Sequence, residues 1–337
     1  MILSISAHSH RRRGRPQVVA GALVAALLLG ACSSSQTTSS SQTSSPTTSD
    51  DVPRVVVTHE VLGSIVREVV GDSADVKVII PNGKDPHEYE PSARDIATLN
   101  AADLVVANGE NFEPAFSDIL NGLVTEGRQV FFATEHVTLR AGSHEHAAEE
   151  QHSSEEDHAH EEVDEHGEND PHFFTDPATV SQLVPALARA LSDATGLSLV
   201  ARVADAIGAF AAIDLSVREK FDALPSGTCK IVTGHESLGY FADRYGCEVV
   251  GVVIPSLSGL AEATAQDFAE LSSAMKAENV TAIFVDEGTS TKVSDRIAAE
   301  TGARVFSLPS HSVPSSGDYG DYVLAIADTI VTGLTST

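Results

Sequence analysis

Histidine is the side chain here best suited to chemistry: fourteen occur in 337 residues, and ten of them fall into two groups. His144, His146, His152, His158, His160 and His166 stand in "SHEHAAEEQHSSEEDHAHEEVDEHGEND", among acids and with hardly an apolar neighbour. A second set is spread along the chain: His59 in "VVVTHE", His87 in "GKDPHEYEPS", His172 in "NDPHFFTDP" and His235 in "KIVTGHES". Neutral imidazoles bind Zn²⁺ well, whereas Mg²⁺ and Ca²⁺ prefer oxygen shells. Three such rings with a carboxylate or another imidazole therefore favour Zn²⁺, with Cu²⁺ the thermodynamic competitor and Mn²⁺ weaker. One loop histidine alone is more often an ordinary hydrogen-bonded residue, so recurrence carries the inference. A zinc hydrolase would need an open water position and a general base. The sequence has no HExxH pattern and no recognisable nucleophile arrangement, so enzymatic activity is not expected.

The elements that must position these rings alternate between strand and helix from residue 52 onward. "RVVVTH" is β-rich, and "EVLGSIVREVVG" carries apolar residues at helical spacing before a glycine stop. "VKVIIP", "ADLVVANG" and "RQVFFA" read as further strands, and "CKIVTGH", "CEVVGVVI", "VTAIFVDE" and "ARVFSLP" resume the pattern later. Between the two sets lie two helical stretches, the second of which would run for about 27 residues and roughly 40 Å. The fold class is α/β: two lobes, each with a mostly parallel sheet flanked by helices, joined by a long rigid helix. Sheets of this kind gather functional groups at the carboxyl ends of their strands. His59 closes the first strand, His87 follows "VKVII" ahead of a helix capped by Ser92, and His235 follows "KIVTG".

Charge and targeting segments narrow the function further. The formal charge of −27 repels nucleic acid and anionic headgroups and attracts cations. The start of the chain reads as an export signal, with Arg11, Arg12, Arg13 and Arg15 ahead of the apolar run Val18–Ala31. That run is too short to favour a permanent span. "LGAC" resembles a bacterial lipobox, which would cleave the signal at residues 1–31 and lipidate Cys32; the alternative is an ordinary signal with a bystander cysteine. Residues 32–51, rich in Ser and Thr, form a disordered tether, followed by an N-terminal lobe at 52–190, a linking helix at 191–225 and a C-terminal lobe at 226–337. Cys229 and Cys247 open two strands; an exported compartment permits a disulfide between them, two free buried thiols being the other reading.

Taken together, "GKDPHEYEPSARD", "DPHFFTDP", "VTGHESLGYFADRYG" and "AIFVDEGTSTKVSDRIAAETGARV" resemble the metal-binding lipoproteins of bacterial zinc and manganese ABC importers, over about residues 53–334. The resemblance implies two lobes on a backbone helix with limited hinge motion, a metal buried between them, and delivery to a permease with its ATPase. It implies a monomer anchored by lipid at the extracytoplasmic face of the cell membrane, with a zinc chaperone as an optional partner. By motif position, His87 and His172 would be ligands from the N-terminal lobe and His235 from the C-terminal lobe. The sequence departs from the family at the fourth ligand, where many relatives carry Asp; here "FSLPSHSVPSSGDYGDY" offers His311 as the nearest donor. Asp286, Glu287, water or an open position are the rivals. His59 matches no ligand of the family and would support the site from behind or face solvent.

A His-rich acidic insertion is typical of zinc-handling members. Residues 143–170 have the composition of a disordered loop, unable to offset the entropy of ordering a rigid site. Their histidines would offer weak, exchanging sites that collect zinc near the cleft, while His172 belongs to the tight site; a merely solvated insertion is the plainer alternative. Zn²⁺ is the expected cargo, with Mn²⁺ the nearest rival and surface adhesion or metal storage a secondary role.

Overall fold

The computed structural model describes residues 52–142, 169–261, 263–287, 290–315 and 317–336. The export signal, Cys32, the tether and the histidines from His144 to His166 lie outside the described residues.

The N-terminal sheet is built from β1 (Arg54–Val57), β2 (Asp75–Val78), β3 (Leu104–Ala107) and β4 (Val130–Phe132), parallel throughout, in the order β2-β1-β3-β4. Helices α1 (Glu60–Val70), α2 (Ala93–Asn100) and α3 (Ser117–Thr125) connect these strands. After α4 (Pro177–Thr195) and α5 (Val200–Asp222), a second parallel sheet follows from β7 (Lys230–Thr233), β8 (Glu248–Val252), β9 (Ala282–Asp286) and β10 (Arg304–Leu308), in the order β10-β9-β7-β8. Its connections are α6 (Gly239–Tyr245), α7 (Ala265–Glu278) and α8 (Lys292–Thr301), and α9 (Tyr319–Thr335) ends the fold. In each sheet the first strand lies between the second and the third, so the two lobes share one topology. That order makes a switch point beside β1 and another beside β7, where a crevice opens at the carboxyl ends.

Local chemistry accounts for the boundaries. Ser92 caps α2 in a reciprocal box with Asp95. Gly196, at φ 74°, ends α4 in the left-handed region, and α5 begins only at Val200. The linking helix is thus 23 residues long, about 35 Å, shorter than the run of apolar residues suggests. It packs against α1 and α4 of the N-terminal half and against α6 and α9 of the C-terminal half. A single apolar cluster runs from Val57 and Leu62 through Leu187, Phe210 and Phe241 to Phe284 and Ile330, so both lobes share it. Sliding one lobe past the other would expose apolar surface at about 25 cal/mol per Å², which favours small movements.

Two further points were open in the sequence. Cys229 and Cys247 form a disulfide, with Cα atoms 4.7 Å apart at the amino ends of the neighbouring strands β7 and β8. The acidic loop expected over 143–170 is shorter at its far end: Asn169–Asp170 forms strand β6, antiparallel to β5 at Arg140–Ala141. Backbone pairing, and the Tyr240 hydroxyl that donates to the Asp170 carbonyl, outweigh the polar composition there. No described helix is long and apolar enough to cross a membrane.

Candidate metal centre

The residues Asp-Pro-His occur twice, at 85–87 and 170–172, and fold the same way each time. The Asp carboxylate accepts the backbone N–H of the histidine two residues on, at 2.9 Å in both copies. Proline fixes φ between them, so each tripeptide is a stiff turn that aims one imidazole. His87 leaves the loop after β2 and His172 leaves the strand β6. From the other lobe, His235 follows β7 and His311 follows β10.

These four histidines converge. One ligating atom from each lies within 4.8 Å of all the others, and all four residues are buried. The Nε2 atoms of His87 and His235 each stand 3.4 Å from Nε2 of His172. A tetrahedral Zn²⁺ at roughly 2.0–2.1 Å from each nitrogen spaces its donors about 3.3–3.4 Å apart. Asp170 Oδ1 meets His172 Nδ1 at 2.9 Å, and Asp286 Oδ2 meets His235 Nδ1 at 2.7 Å. A carboxylate at Nδ1 holds the proton on that nitrogen and leaves Nε2 with a bare lone pair. Two bare lone pairs facing each other at that spacing repel, and a shared cation removes the repulsion.

The surroundings set the charge of each ring. Burial works against protonation of His235, but the Asp286 carboxylate and its hydrogen bond outweigh it and raise the pKa. Burial alone would lift the Asp286 carboxyl, yet the His235 charge and hydrogen bond hold it well below the usual range. His311 is pushed down to about 4, chiefly by burial, with Asp85 and Asp286 offsetting only part. Its Nδ1 is 3.9 Å from Asp85 Oδ1. Phe112, itself buried, packs edge-on against His87 and His172, with ring centroids 4.7 and 5.4 Å apart. Gly234 is required by close approach: a Cβ there would meet Asp286 Oδ2 at 2.9 Å.

The other candidates fall elsewhere. Asp286 lies behind His235 rather than among the converging nitrogens. Glu287 is exposed and accepts from the Ser312 hydroxyl at 2.5 Å. His59 is also outside the cluster. It caps α1 by accepting the Leu62 N–H, and its Nε2 meets Asn108 Oδ1 at 3.3 Å. Asn108 in turn donates to the carbonyl of Pro171, so His59 braces the turn that carries His172. Asp85, Asp170 and Asn108 were not singled out from sequence, although the repeated Asp-Pro-His was there to find.

Several known proteins are similar to this chain. The zinc-binding protein AdcA of Streptococcus pyogenes serotype M3 is 29% identical over 260 residues, covering 74% of this chain and 49% of AdcA, so the chain spans about half the length of that relative. The manganese ABC transporter substrate-binding lipoprotein PsaA of Streptococcus anginosus is 24% identical over 277 residues, 80% of this chain and 83% of PsaA. Among solved structures, the periplasmic zinc-binding protein TroA of Treponema pallidum superposes with a TM-score of 0.69 at 24% identity, over 85% of this chain and 100% of that one, and shares the fold. Residues 55–333 match the family described as ZnuA, zinc-uptake complex component A, periplasmic, and the chain therefore belongs to that family.

Proposed function

We propose that this protein captures Zn²⁺ outside the cytoplasm, through His87, His172, His235 and His311, and delivers it to an ABC permease. The observation that carries the reading is the convergence of four buried imidazoles with Nε2 pairs at 3.4 Å. That spacing suits a tetrahedral ion, and an all-nitrogen shell suits Zn²⁺ better than Mn²⁺, which favours carboxylate and higher coordination. Four protein donors also fill a tetrahedral shell, which suits carriage rather than activation of water. Asp170 and Asp286 supply two negative charges beside a dication, so capture needs no accompanying anion.

Manganese carriage is the second reading, favoured by the likeness to PsaA, a protein named for manganese. Competition titration of the purified protein with Zn²⁺ and Mn²⁺ against a chromophoric chelator separates the two. Zn²⁺ binding tighter by several orders of magnitude supports the proposal, and Mn²⁺ binding equal to Zn²⁺ overturns it. Replacing His87, His172 and His235 together by alanine should abolish the tight equivalent. The lipid anchor at Cys32 and the permease and ATPase partners belong to the same proposal, tested by membrane fractionation and by zinc-limited growth of a deletion strain.

A further inference from the structure

His311 is held differently from its neighbours. His172 and His235 each have a carboxylate at Nδ1, whereas among the described residues neither ring nitrogen of His311 has a hydrogen-bond partner. Its ring is packed against His87, Phe112 and His235 without a hydrogen bond to aim it, so its placement depends on the backbone that carries it. On the C-terminal side, the Tyr322 hydroxyl donates to the Ser310 carbonyl at 3.0 Å and the Ser312 hydroxyl donates to Glu287 at 2.5 Å. On the N-terminal side, the same loop is gripped across the cleft. Asn82 Nδ2 donates to the Val313 carbonyl at 2.7 Å, and the Val313 N–H donates to Asn82 Oδ1 at 2.8 Å. Beside that pair, the Gly83 N–H donates to the carbonyl of His311 itself at 3.2 Å. Asn82 and Val313 are 231 residues apart, and Asn82 precedes His87 by one short turn.

We infer that Asn82 is a positioning residue for the metal site: its amide pairs with Val313 as a strand would, and fastens the loop bearing His311 onto the loop bearing His87. The geometry makes the fourth donor conditional on contact between the lobes. When the pair is made, His311 stands among the other three rings; when the pair breaks, the loop after β10 can swing away from the cleft alone, and the ion keeps His87, His172 and His235. Release of the cargo is then governed by an exposed amide rather than by the buried ligands. A primary amide suits the task, because it offers one donor and one acceptor side by side, matching the carbonyl and N–H of one residue.

The inference rests on His311 being a ligand, and the test separates the two. Zinc affinity and dissociation rate are measured by chelator competition for the wild type, Asn82→Ala, His311→Ala and the double variant, with thermal unfolding of each metal-free protein. Asn82→Ala should weaken binding by roughly 10- to 100-fold, the range seen when a residue orienting a ligand is lost. The change should lie mainly in faster dissociation, with the metal-free variant still unfolding cooperatively and its melting temperature lowered by no more than the loss of two part-buried hydrogen bonds would give. Asn82→Asp keeps the acceptor but sets a carboxylate against the Val313 carbonyl, and should do no better than alanine. If Asn82 acts through His311, the double variant binds no more weakly than His311→Ala. Wild-type behaviour of Asn82→Ala, or a loss that adds in full to that of His311→Ala, overturns the inference. Wild-type affinity in His311→Ala overturns the fourth-ligand assignment, and any Asn82→Ala loss beside it would have another origin and overturn the inference as well.

Discussion

Asp286 Oδ2 stands 2.7 Å from Nδ1 of His235, with both groups buried at the carboxyl ends of adjacent strands β9 and β7. The contact fixes the tautomer, aims Nε2 into the cluster and raises the basicity of the ring.

Asp286→Asn should therefore weaken zinc binding by about 10- to 100-fold while the fold is retained, measured by competition with a chelator. It should also alter the pH dependence. The raised pKa of His235 means that protons begin to compete with zinc above the ordinary histidine range near ~6.5. His311, at about 4, competes only in strong acid. In the wild type, affinity falls as pH drops through the raised His235 value; in Asp286→Asn the fall should begin at lower pH. An unmoved profile would show that the carboxylate does not set the basicity of the ring.

A different histidine links pH to stability. His59 is pushed down to about 3 by burial, against a small opposing contribution from its Asn108 hydrogen bond. As pH falls below about 6.5 the unfolded chain takes up a proton that the folded chain refuses until near 3, so stability declines across that window by up to about 1.4 kcal/mol per pH unit. Glu113 acts in the opposite sense: burial pushes it up to about 7 from 4.5, so the folded chain keeps a proton that the unfolded chain releases, and stability falls as pH rises between those values. Where the two windows overlap, the slopes oppose each other; below about 4.5 that of His59 remains. His59→Gln should make the acid limb of the metal-free unfolding profile shallower than in the wild type, as read by urea titration at successive pH values.

How much of this was legible depends on what each residue had to reveal. "RVVVTH" and "AIFVDE" announce strands because continuous apolar runs are bounded by polar turns, and a histidine just past such a run falls at the carboxyl end by construction. That is why His59, His87 and His235 could be placed at strand ends without coordinates, whereas His172, after a polar run, was assigned to the site only through the family motif around it. Asp286 was ambiguous, since adjacency to the site in sequence cannot tell a ligand from the group that orients one; only its contact with His235 Nδ1 makes the distinction. The start of the linking helix was hidden for another reason. Leu199 caps α5 without any side-chain hydrogen bond, so the sequence carries no capping signal there. Asn82 was invisible because its partner is the backbone of Val313, and a backbone leaves no mark in the residue type.

The disulfide and the metal site occupy opposite ends of the C-terminal sheet. Cys229 and Cys247 open β7 and β8, while His235 and Asp286 follow or close strands at the far end. The bridge closes a loop of 18 residues, which removes unfolded-chain entropy equivalent to about 3 kcal/mol. Replacing both cysteines by serine should lower the melting temperature by several degrees and change zinc affinity less than about threefold. A large loss of affinity in a folded variant would mean that strain at the amino ends is transmitted along the strands.

The hairpin of β5 and β6 bears on the role of the His-rich insertion. Its strands are antiparallel, so Ala141 and Asn169 are paired and the two ends of segment 143–168 emerge side by side. A short turn can replace that segment without moving Asp170 or His172. The hairpin is moreover held independently: the Tyr240 hydroxyl donates to the Asp170 carbonyl, the Arg140 N–H donates to that hydroxyl, and the Arg140 side chain meets Asp243 at 2.9 Å. Deleting residues 143–168 should therefore leave the tightest zinc equivalent intact and remove only weaker ones, as read by calorimetric titration. If the tight equivalent disappears from a deletion variant that still folds, a histidine between His144 and His166 is a principal ligand and the four-histidine assignment fails.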